Sequence, residues 1–346
     1  MFQIMWTRIA PAWLVVIVCS VVVSGSCIRR STIPNALSDQ EFWTLIETLS
    51  EPAGAFTLSD NVVSNEPHFA ETARWLRPGG GVYIGVGPEQ NFSYIVPLRP
   101  AMAFIIDIRR ENLALHLLYK ALFELSIDRA DFVSRLFSRP RPQSLRASTS
   151  VDDIFMAFDS VPASAELYSL TSTLVRERLL TTRSFPLTQT DLDWIERSLA
   201  AFYVNGPKID YYGERTADVV RPSYRQLMTA RDLAGRNRSF LASEEAFHFV
   251  KELQSKNRIV PVVGDFAGSG AFRRIGDYIR DHKDRVRAVY GSNVGVYLTN
   301  QQSHAFCRNL GTLPASSTAW FIDSRGMRRF DVKLAACAAE IKSAAQ

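Results

Sequence analysis

Four short stretches carry residue types and spacings suited to binding chemistry. In GVYIGVGPEQNF, Gly81–Phe92, an apolar run ends in Gly85 and Gly87. Glycine at a strand end lets the backbone turn tightly and approach a ligand with no Cβ in the way. Twenty residues after Gly87, Asp107 closes the apolar run AFIID. A carboxylate there is placed to accept hydrogen bonds from both ribose hydroxyls, or to cap a helix beginning near Glu111. In VVGDFAGSGAF, Asp265 could accept from an adenine amino group while Phe266 packs on the ring, with Gly264, Gly268 and Gly270 permitting close approach. The same residues also make a capped turn entering a helix at Ala271. YGSNV offers Ser292 and Asn293 to orient a polar group of a substrate, or to cap a helix in VGVYL.

The spacings also exclude chemistries. The first stretch is not GxGxxG, because no third glycine follows Gly87 before Phe92 and Pro88 removes a backbone donor. A turn touching a nucleoside and an amino-acid-like tail therefore fits better than a pyrophosphate grip. There is no GxSxG elbow, and Cys307 is only a sequence neighbour of His304. The five histidines, at 68, 116, 248, 282 and 304, are scattered, no HExxH occurs and the four cysteines form no CxxC, so no metal site is expected. Arg139, Arg141 and Arg146 lie in the Pro- and Ser-rich stretch SRPRPQSLRASTS, read as a solvated loop that could otherwise meet phosphates or acidic lipids. Tyr211, Tyr212 and Arg215 are placed by position alone at the mouth of a pocket.

These residues need strand ends to hold them. Short apolar runs at Val82–Val86, Ala103–Asp107, RIVPVVGD, RVRAVYGSN and TAWFID alternate with amphipathic helices. That pattern predicts an α/β, doubly wound, mostly parallel sheet, with ligands beyond the carboxyl ends of its strands. Helices are expected in LSDQEFWTLIETLSEP, with Ser38 or Asp39 as cap, in SNEPHFAETARWL, with Asn65 as cap, and in ENLALHLLYKALFELS. Residues from about 138 to 250 read as a mainly helical insertion. His116, alone on a helix, reads as a packed residue.

Of 346 residues, 47% are hydrophobic and 22% charged, enough apolar content for a large core. The net charge of +5 permits anionic ligands and gives no reason to expect specific nucleic-acid binding. Residues 1–35 read as a leader, with Arg8, an apolar run to Val23 and small residues before Cys27. VVSGSC is a loose lipoprotein signal with Cys27 as the acylated residue; an uncleaved membrane anchor and a start codon placed too early are the alternatives. The main domain, 36–346, is thus expected to be exported or membrane-anchored, or cytoplasmic if the leader is not real. Cys307 and Cys337 could pair in an exported domain.

The motifs together resemble the class I S-adenosylmethionine-dependent methyltransferase fold. VYIGVGPEQ looks like its first glycine motif, FIIDIRR like its ribose-binding acid and VVGDF like its adenine-side motif. More closely, the stretches GVYIGVGPEQNFSYIVPLRPAMAFIIDIRRENL, ALFELSIDRADFVSRLFSRPRP, RSFLASEEAF and PVVGDFAG resemble a family of uncharacterised bacterial proteins with a methyltransferase-like domain. The resemblance implies S-adenosylmethionine as cofactor, with Gly85 and Gly87 facing its methionine part, Asp107 the ribose, and Asp265 with Phe266 the adenine. Two departures stand out. About 150 residues separate Asp107 from Asp265, where the ordinary fold has one helix, and GSN replaces an Asn-Pro-Pro-aromatic or Asp-Pro-Pro-aromatic motif. Two functions follow: methyl transfer to an unknown acceptor, or a catalytically silent ligand- or protein-binding domain. The donor is made in the cytoplasm, so an exported address favours the second.

Overall fold

The computed structural model describes residues 31–54, 56, 61–210 and 221–344. Six strands form one sheet: β1 (Val82–Val86), β2 (Met102–Asp107), β3 (Ile259–Val263), β4 (Val286–Tyr290), β5 (Ala315–Asp323) and β6 (Gly326–Arg329). Their spatial order is β3-β2-β1-β4-β5-β6; all neighbours are parallel except the β5–β6 hairpin. This is a Rossmann-like doubly wound sheet. The strand order reverses between β1 and β4, which opens a crevice beyond their carboxyl ends. Every residue of β1, β2 and β3 is buried. Successive strand residues point to opposite faces, so both faces are covered.

The helices follow in chain order. Before β1 lie α1 (Asp39–Leu49) and α2 (Phe69–Ala73), and between β1 and β2 lies α3 (Gln90–Leu98). Between β2 and β3 the chain forms α4 (Arg110–Leu125), α5 (Arg129–Phe137), α6 (Val151–Asp159), α7 (Ala165–Glu177), α8 (Gln189–Asn205), α9 (Tyr224–Thr229) and α10 (Glu244–Ser255). Then come α11 (Ala271–Asp281), α12 (Asn300–Gly311) and α13 (Phe330–Ser343). Ser38 caps α1 in a reciprocal box with Glu41, and Thr188 caps α8 in the same way with Asp191. α4 packs against β2 and β3, whereas α5, α7 and α8 pack on one another and on α4. The helical insertion is therefore a layer built outward from α4.

Three local expectations differ from the fold. Asn65 caps nothing: α2 starts only at Phe69, with His68 at its cap position and no side-chain bond. The preceding segment is instead tied inward through Ser64 and Glu66. β6 went unread because GMRR is short and half-buried, without an apolar run. Ser292 and Asn293 do not cap a helix through their side chains; Val294–Val296 is a single 3-10 turn.

Buried ion pairs lock the insertion to the sheet layer. Lys120 pairs with Glu124 at 3.0 Å, and Arg183 bridges Glu124 and Asp39, each at 2.8 Å. Arg110 forks onto Asp191 at 2.6 and 2.9 Å, fixing α8 beside the start of α4. The loop arginines tie the insertion to itself: Arg139 donates to the carbonyl of Val161, Arg141 meets Asp128 at 2.7 Å, and Arg146 donates to the carbonyls of Gln143 and Leu145. Cys307 and Cys337 form a disulfide joining α12 to α13, Cα to Cα 5.4 Å, so Cys307 is no nucleophile. No helix among the described residues is long and apolar enough to cross a membrane. Residues 1–30 of the leader, Cys27 among them, lie outside the described residues, as do Tyr211, Tyr212 and Arg215, whereas Ser31 and Thr32 bond to Asp284 and His282 of the domain.

Candidate functional site

The carboxyl ends of β1, β2, β3 and β4 surround one crevice of about 320 Å³. Gly87, Asp107, Asp265, Phe266, Ser292 and Asn293 all line it. Strand register brings the two acids to one rim. Asp107 pairs with Val263 across β2 and β3, and the N–H of Gly264 donates to the Asp107 carbonyl at 2.8 Å. Residues more than 150 positions apart thus meet because their strands are neighbours.

The two glycines of the first turn have different jobs. Gly87 has φ +73° and open space where a Cβ would stand, which suits a ligand approach. Gly85 does not line the crevice. A Cβ there would stand 1.9 Å from Asn91 Oδ1 and 2.7 Å from the Tyr83 hydroxyl. The expectation that Gly85 faces a ligand is corrected: it makes room for the protein's own Asn91. The Asn91 amide donates to the carbonyls of Val86, Gly87 and Pro88 at 2.9, 3.1 and 2.7 Å. His116 Nε2 donates to the Gly87 carbonyl at 2.8 Å. Its ring is neutral, because burial pulls its pKa down to about 4.

Asp107 is less available than a bare carboxylate. Oδ1 accepts from the Arg109 backbone N–H at 3.0 Å and from its Nε at 3.1 Å, and Oδ2 accepts from its Nη2 at 3.1 Å. A carboxylate has roughly four acceptor positions. One on Oδ2 is left, enough for one ribose hydroxyl rather than two. Asp107 is also not the cap of α4, whose cap position is Arg109 with no side-chain bond.

At the third strand end, Asp265 Oδ1 accepts from the Ala267 N–H at 2.8 Å, in a tight turn. No bond of Oδ2 is recorded among the described residues. The Phe266 ring is buried between Phe272 and Phe306, centroids at 5.2 and 5.4 Å, so it does not present a face to stack on a base. The glycines of this loop make room for Glu51. A Cβ on Gly268 would stand 2.8 Å from Glu51 Oε2, and one on Gly270 would stand 2.7 Å from Oε1. The Glu51 carboxylate accepts from the N–H groups of Asp265 and Gly270, at the entrance to α11.

Sequence reasoning missed three acids at this end of the sheet: Glu51, Glu66 and Glu89. Glu89 stands at the cap position of α3, fully buried, and accepts from the Ser64 N–H at 3.1 Å. Among the described residues no cation pairs with it, and burial pushes its pKa up to about 7. Glu66 accepts from the Ser292 hydroxyl and from Gln90 Nε2. Burial raises its pKa too. Ser292 has φ +45°, a strained conformation for a residue with a Cβ, held by that bond and by the Ser324 N–H on its carbonyl at 3.0 Å. The only hint in the sequence is that each missed acid adjoins a proline: Glu51 and Glu66 precede one, and Glu89 follows one.

The chain belongs to the DUF7790 family, a domain of unknown function. The family profile matches residues 61–150 and 189–341. The match spans all six strands and, apart from Phe56, every residue lining the crevice. It leaves out residues 151–188, where α6 and α7 lie. No curated protein matches the chain. Among the described residues no group of three or more His, Cys, Asp or Glu is arranged to hold a metal ion.

Proposed function

We propose that the crevice binds a nucleoside without a phosphate, S-adenosylmethionine being the first choice, and that the domain transfers its methyl group to an unidentified acceptor. One observation carries this reading: the protein's own acids stand at two of the helix starts beyond these strand ends, and the cation at the third, Arg109 of α4, already has its fork on Asp107. Glu89 stands at the start of α3 and Glu51 at the start of α11. Helix N-termini are where phosphates of nucleotides bind. At α11 the Glu51 carboxylate already takes the Gly270 N–H, and at α3 the buried Glu89 occupies the cap position, which leaves little room for a phosphate at either and argues against dinucleotides and nucleoside phosphates. A nucleoside joined to an amino-acid tail lacks that group.

The residues present fit such a ligand in part. Gly87 offers backbone without a Cβ, Asp107 one acceptor position and Asp265 its Oδ2. Ser292 and Asn293 lie on the β4 side for a polar group of the second substrate. A bound sulfonium supplies an already activated methyl group, so alignment and water exclusion are what the chain must add. No acid or base is assigned to the transfer.

A second reading keeps the ligand and drops the reaction: an exported or membrane-anchored binding domain. The Cys307–Cys337 disulfide favours it, because such bonds persist in oxidising compartments, where the donor is not made.

Calorimetric titration of the full chain with S-adenosylmethionine and S-adenosylhomocysteine tests the shared part. Asp265→Ala is the better variant, since Asp107→Ala would also remove the carboxylate that holds the buried Arg109 fork. Saturable binding that weakens about tenfold or more in Asp265→Ala, as the loss of a charged hydrogen bond implies, supports the site. Absence of binding by folded protein would refute it. Methyl transfer from labelled donor to a cell extract then separates enzyme from binding domain.

A further inference from the structure

Two segments far apart in the chain meet on one surface carboxylate. Glu71 of α2 accepts from the Trp75 indole N–H at 3.2 Å and from the Leu233 backbone N–H at 2.9 Å. The Arg74 guanidinium pairs with the same carboxylate and lies 4.9 Å from the centre of the Trp75 ring. Glu71 thus sets Trp75, 53% exposed, beside Leu233, 86% exposed. The Leu233 loop is knit from within. The Asp232 carboxylate accepts from the N–H groups of Ala234 and Arg236 and from the Arg238 guanidinium, and the Asp232 N–H donates to the Arg236 carbonyl. A tight turn therefore holds an apolar side chain out in water.

The charge around this pair is positive. Arg77, Arg236 and Arg287 pair with no acid among the described residues. Arg77 and Arg236 are exposed; Arg77 donates to the carbonyls of Arg74 and Leu76, and Arg287, against Gly79, to the hydroxyls of Ser316 and Thr318. An indole with its N–H on a polar partner and its ring in the open suits a membrane–water interface. Each arginine near an anionic leaflet strengthens attachment roughly fivefold. A stable protein interface needs a broad apolar centre, which two side chains ringed by arginines do not make. A nucleic-acid duplex would use the arginines and leave Leu233 idle. Arg77 lies on the segment that enters β1, where the Val82 N–H donates to the Arg285 carbonyl. The adjacent Asp284 accepts from the hydroxyl of Ser31, the residue at which the leader joins the domain. The patch and that junction thus adjoin the amino end of the sheet, while the crevice is at the carboxyl end.

We propose that this patch docks the domain on a bilayer rich in anionic lipids, with Trp75 and Leu233 entering the interface and Arg77, Arg236 and Arg287 meeting lipid phosphates. Docked in this way, the amino end of the sheet faces the membrane and the crevice opens to water. The inference stands apart from the proposed reaction, because it concerns another face of the domain and needs neither the crevice ligand nor its chemistry.

The test uses the full chain on vesicles of phosphatidylcholine and phosphatidylglycerol, with bromine on the phosphatidylcholine acyl chains to quench nearby indoles. The leader can itself hold the chain on a vesicle, so the readout is Trp75 alone: the emission of wild type minus that of Trp75→Phe. This emission should fall on brominated vesicles and hold on unbrominated ones. Leu233→Asp, and Arg77→Glu combined with Arg236→Glu, should each lower the docked-to-undocked ratio about tenfold or more, every variant being read against its own Trp75→Phe partner. High salt should weaken docking in the same direction. These side chains are exposed, so the melting temperature should not change. Trp75 emission that is unquenched on brominated vesicles overturns the proposal. So does equal quenching in wild type and both variants, or on phosphatidylcholine alone, or a Trp75 response to a DNA duplex that matches the response to vesicles.

Discussion

Replacing Glu89 by Gln should make the protein more stable at pH 8 and leave it no better, or slightly worse, at pH 5. Glu89 is fully buried at the start of α3, its oxygens bonded to Ser64 and, among the described residues, paired with no cation. A helix start favours a carboxylate by at most about 2 kcal/mol. Burial outweighs that here, since the pKa rises from 4.5 to about 7. The folded chain therefore holds this proton more tightly than the unfolded chain. The contribution to stability is intact below about pH 4.5 and is lost as pH rises to and through 7. At about 1.4 kcal/mol per pH unit the whole loss is about 3 kcal/mol, of which about 2–3 kcal/mol falls between pH 5 and pH 8.

Gln cannot ionise, so it escapes that loss. It gives up one acceptor toward Ser64, at about 1 kcal/mol and at every pH. The gain in melting temperature on going from wild type to variant should thus be larger at pH 8 than at pH 5. With an unfolding entropy of about 2.1 cal/mol/K per residue, a domain of roughly 300 residues converts about 2–3 kcal/mol into about 3–5 °C. Thermal unfolding of both proteins at both pH values gives this double difference. Every other titrating group, Glu66 and His116 included, cancels in it. A variant whose effect is the same at pH 5 and pH 8 would refute the claim that Glu89 carries a folding-linked proton.

His116 should act in the opposite sense. Its pKa falls from 6.5 to about 4, so stability is lost as pH falls through that window, and His116→Gln should lower the midpoint of acid unfolding followed by circular dichroism. Gly85→Ala should cost about 3 kcal/mol or more in chemical denaturation, because its Cβ would expel the Asn91 amide that caps three carbonyls. Gly87→Ala, with nothing near its Cβ but φ +73°, should cost only about 1–2 kcal/mol while weakening any ligand of the crevice. Cys307→Ser with Cys337→Ser should lower stability by about 3–4 kcal/mol, the loop entropy of a crosslink spanning 30 residues, read as a lower melting temperature without reductant.

Much of the sheet was legible because parallel strands buried on both faces are near-continuous apolar runs, as VYIGV, MAFIID and IVPVV are. Once those strands are in order, Gly87, Asp107, Asp265, Ser292 and Asn293 must share one edge. What could not be read was how each is already engaged. The partner of Ser292 is Glu66, 226 residues away, and the acid that fills the Asp265 loop is Glu51, 214 residues away. Gly85 looked like a ligand contact because a glycine records only the need for space, not what fills it. The Trp75–Leu233 patch was invisible for a related reason: Glu71 and Leu233, 162 residues apart, become neighbours only in the fold.

The two functional readings part on compartment, and the fold connects compartment to crevice. Cys307 follows Phe306, whose ring packs against Phe266 at 5.4 Å and Phe321 at 6.2 Å. On the same helix, the buried Asn309 amide donates to the carbonyls of Phe266 and Gly268 at 2.8 and 2.7 Å. α12 thus holds the loop that bears Asp265, and the disulfide holds α12 to α13. In a reducing compartment that crosslink would be absent, and the Asp265 side of the crevice would rest on Asn309, Glu51, the aromatic contacts and the backbone bonds of the turn. Methyl transfer in the cytoplasm therefore demands that those contacts suffice. Binding in an oxidising compartment makes no such demand, because there the loop keeps its clamp.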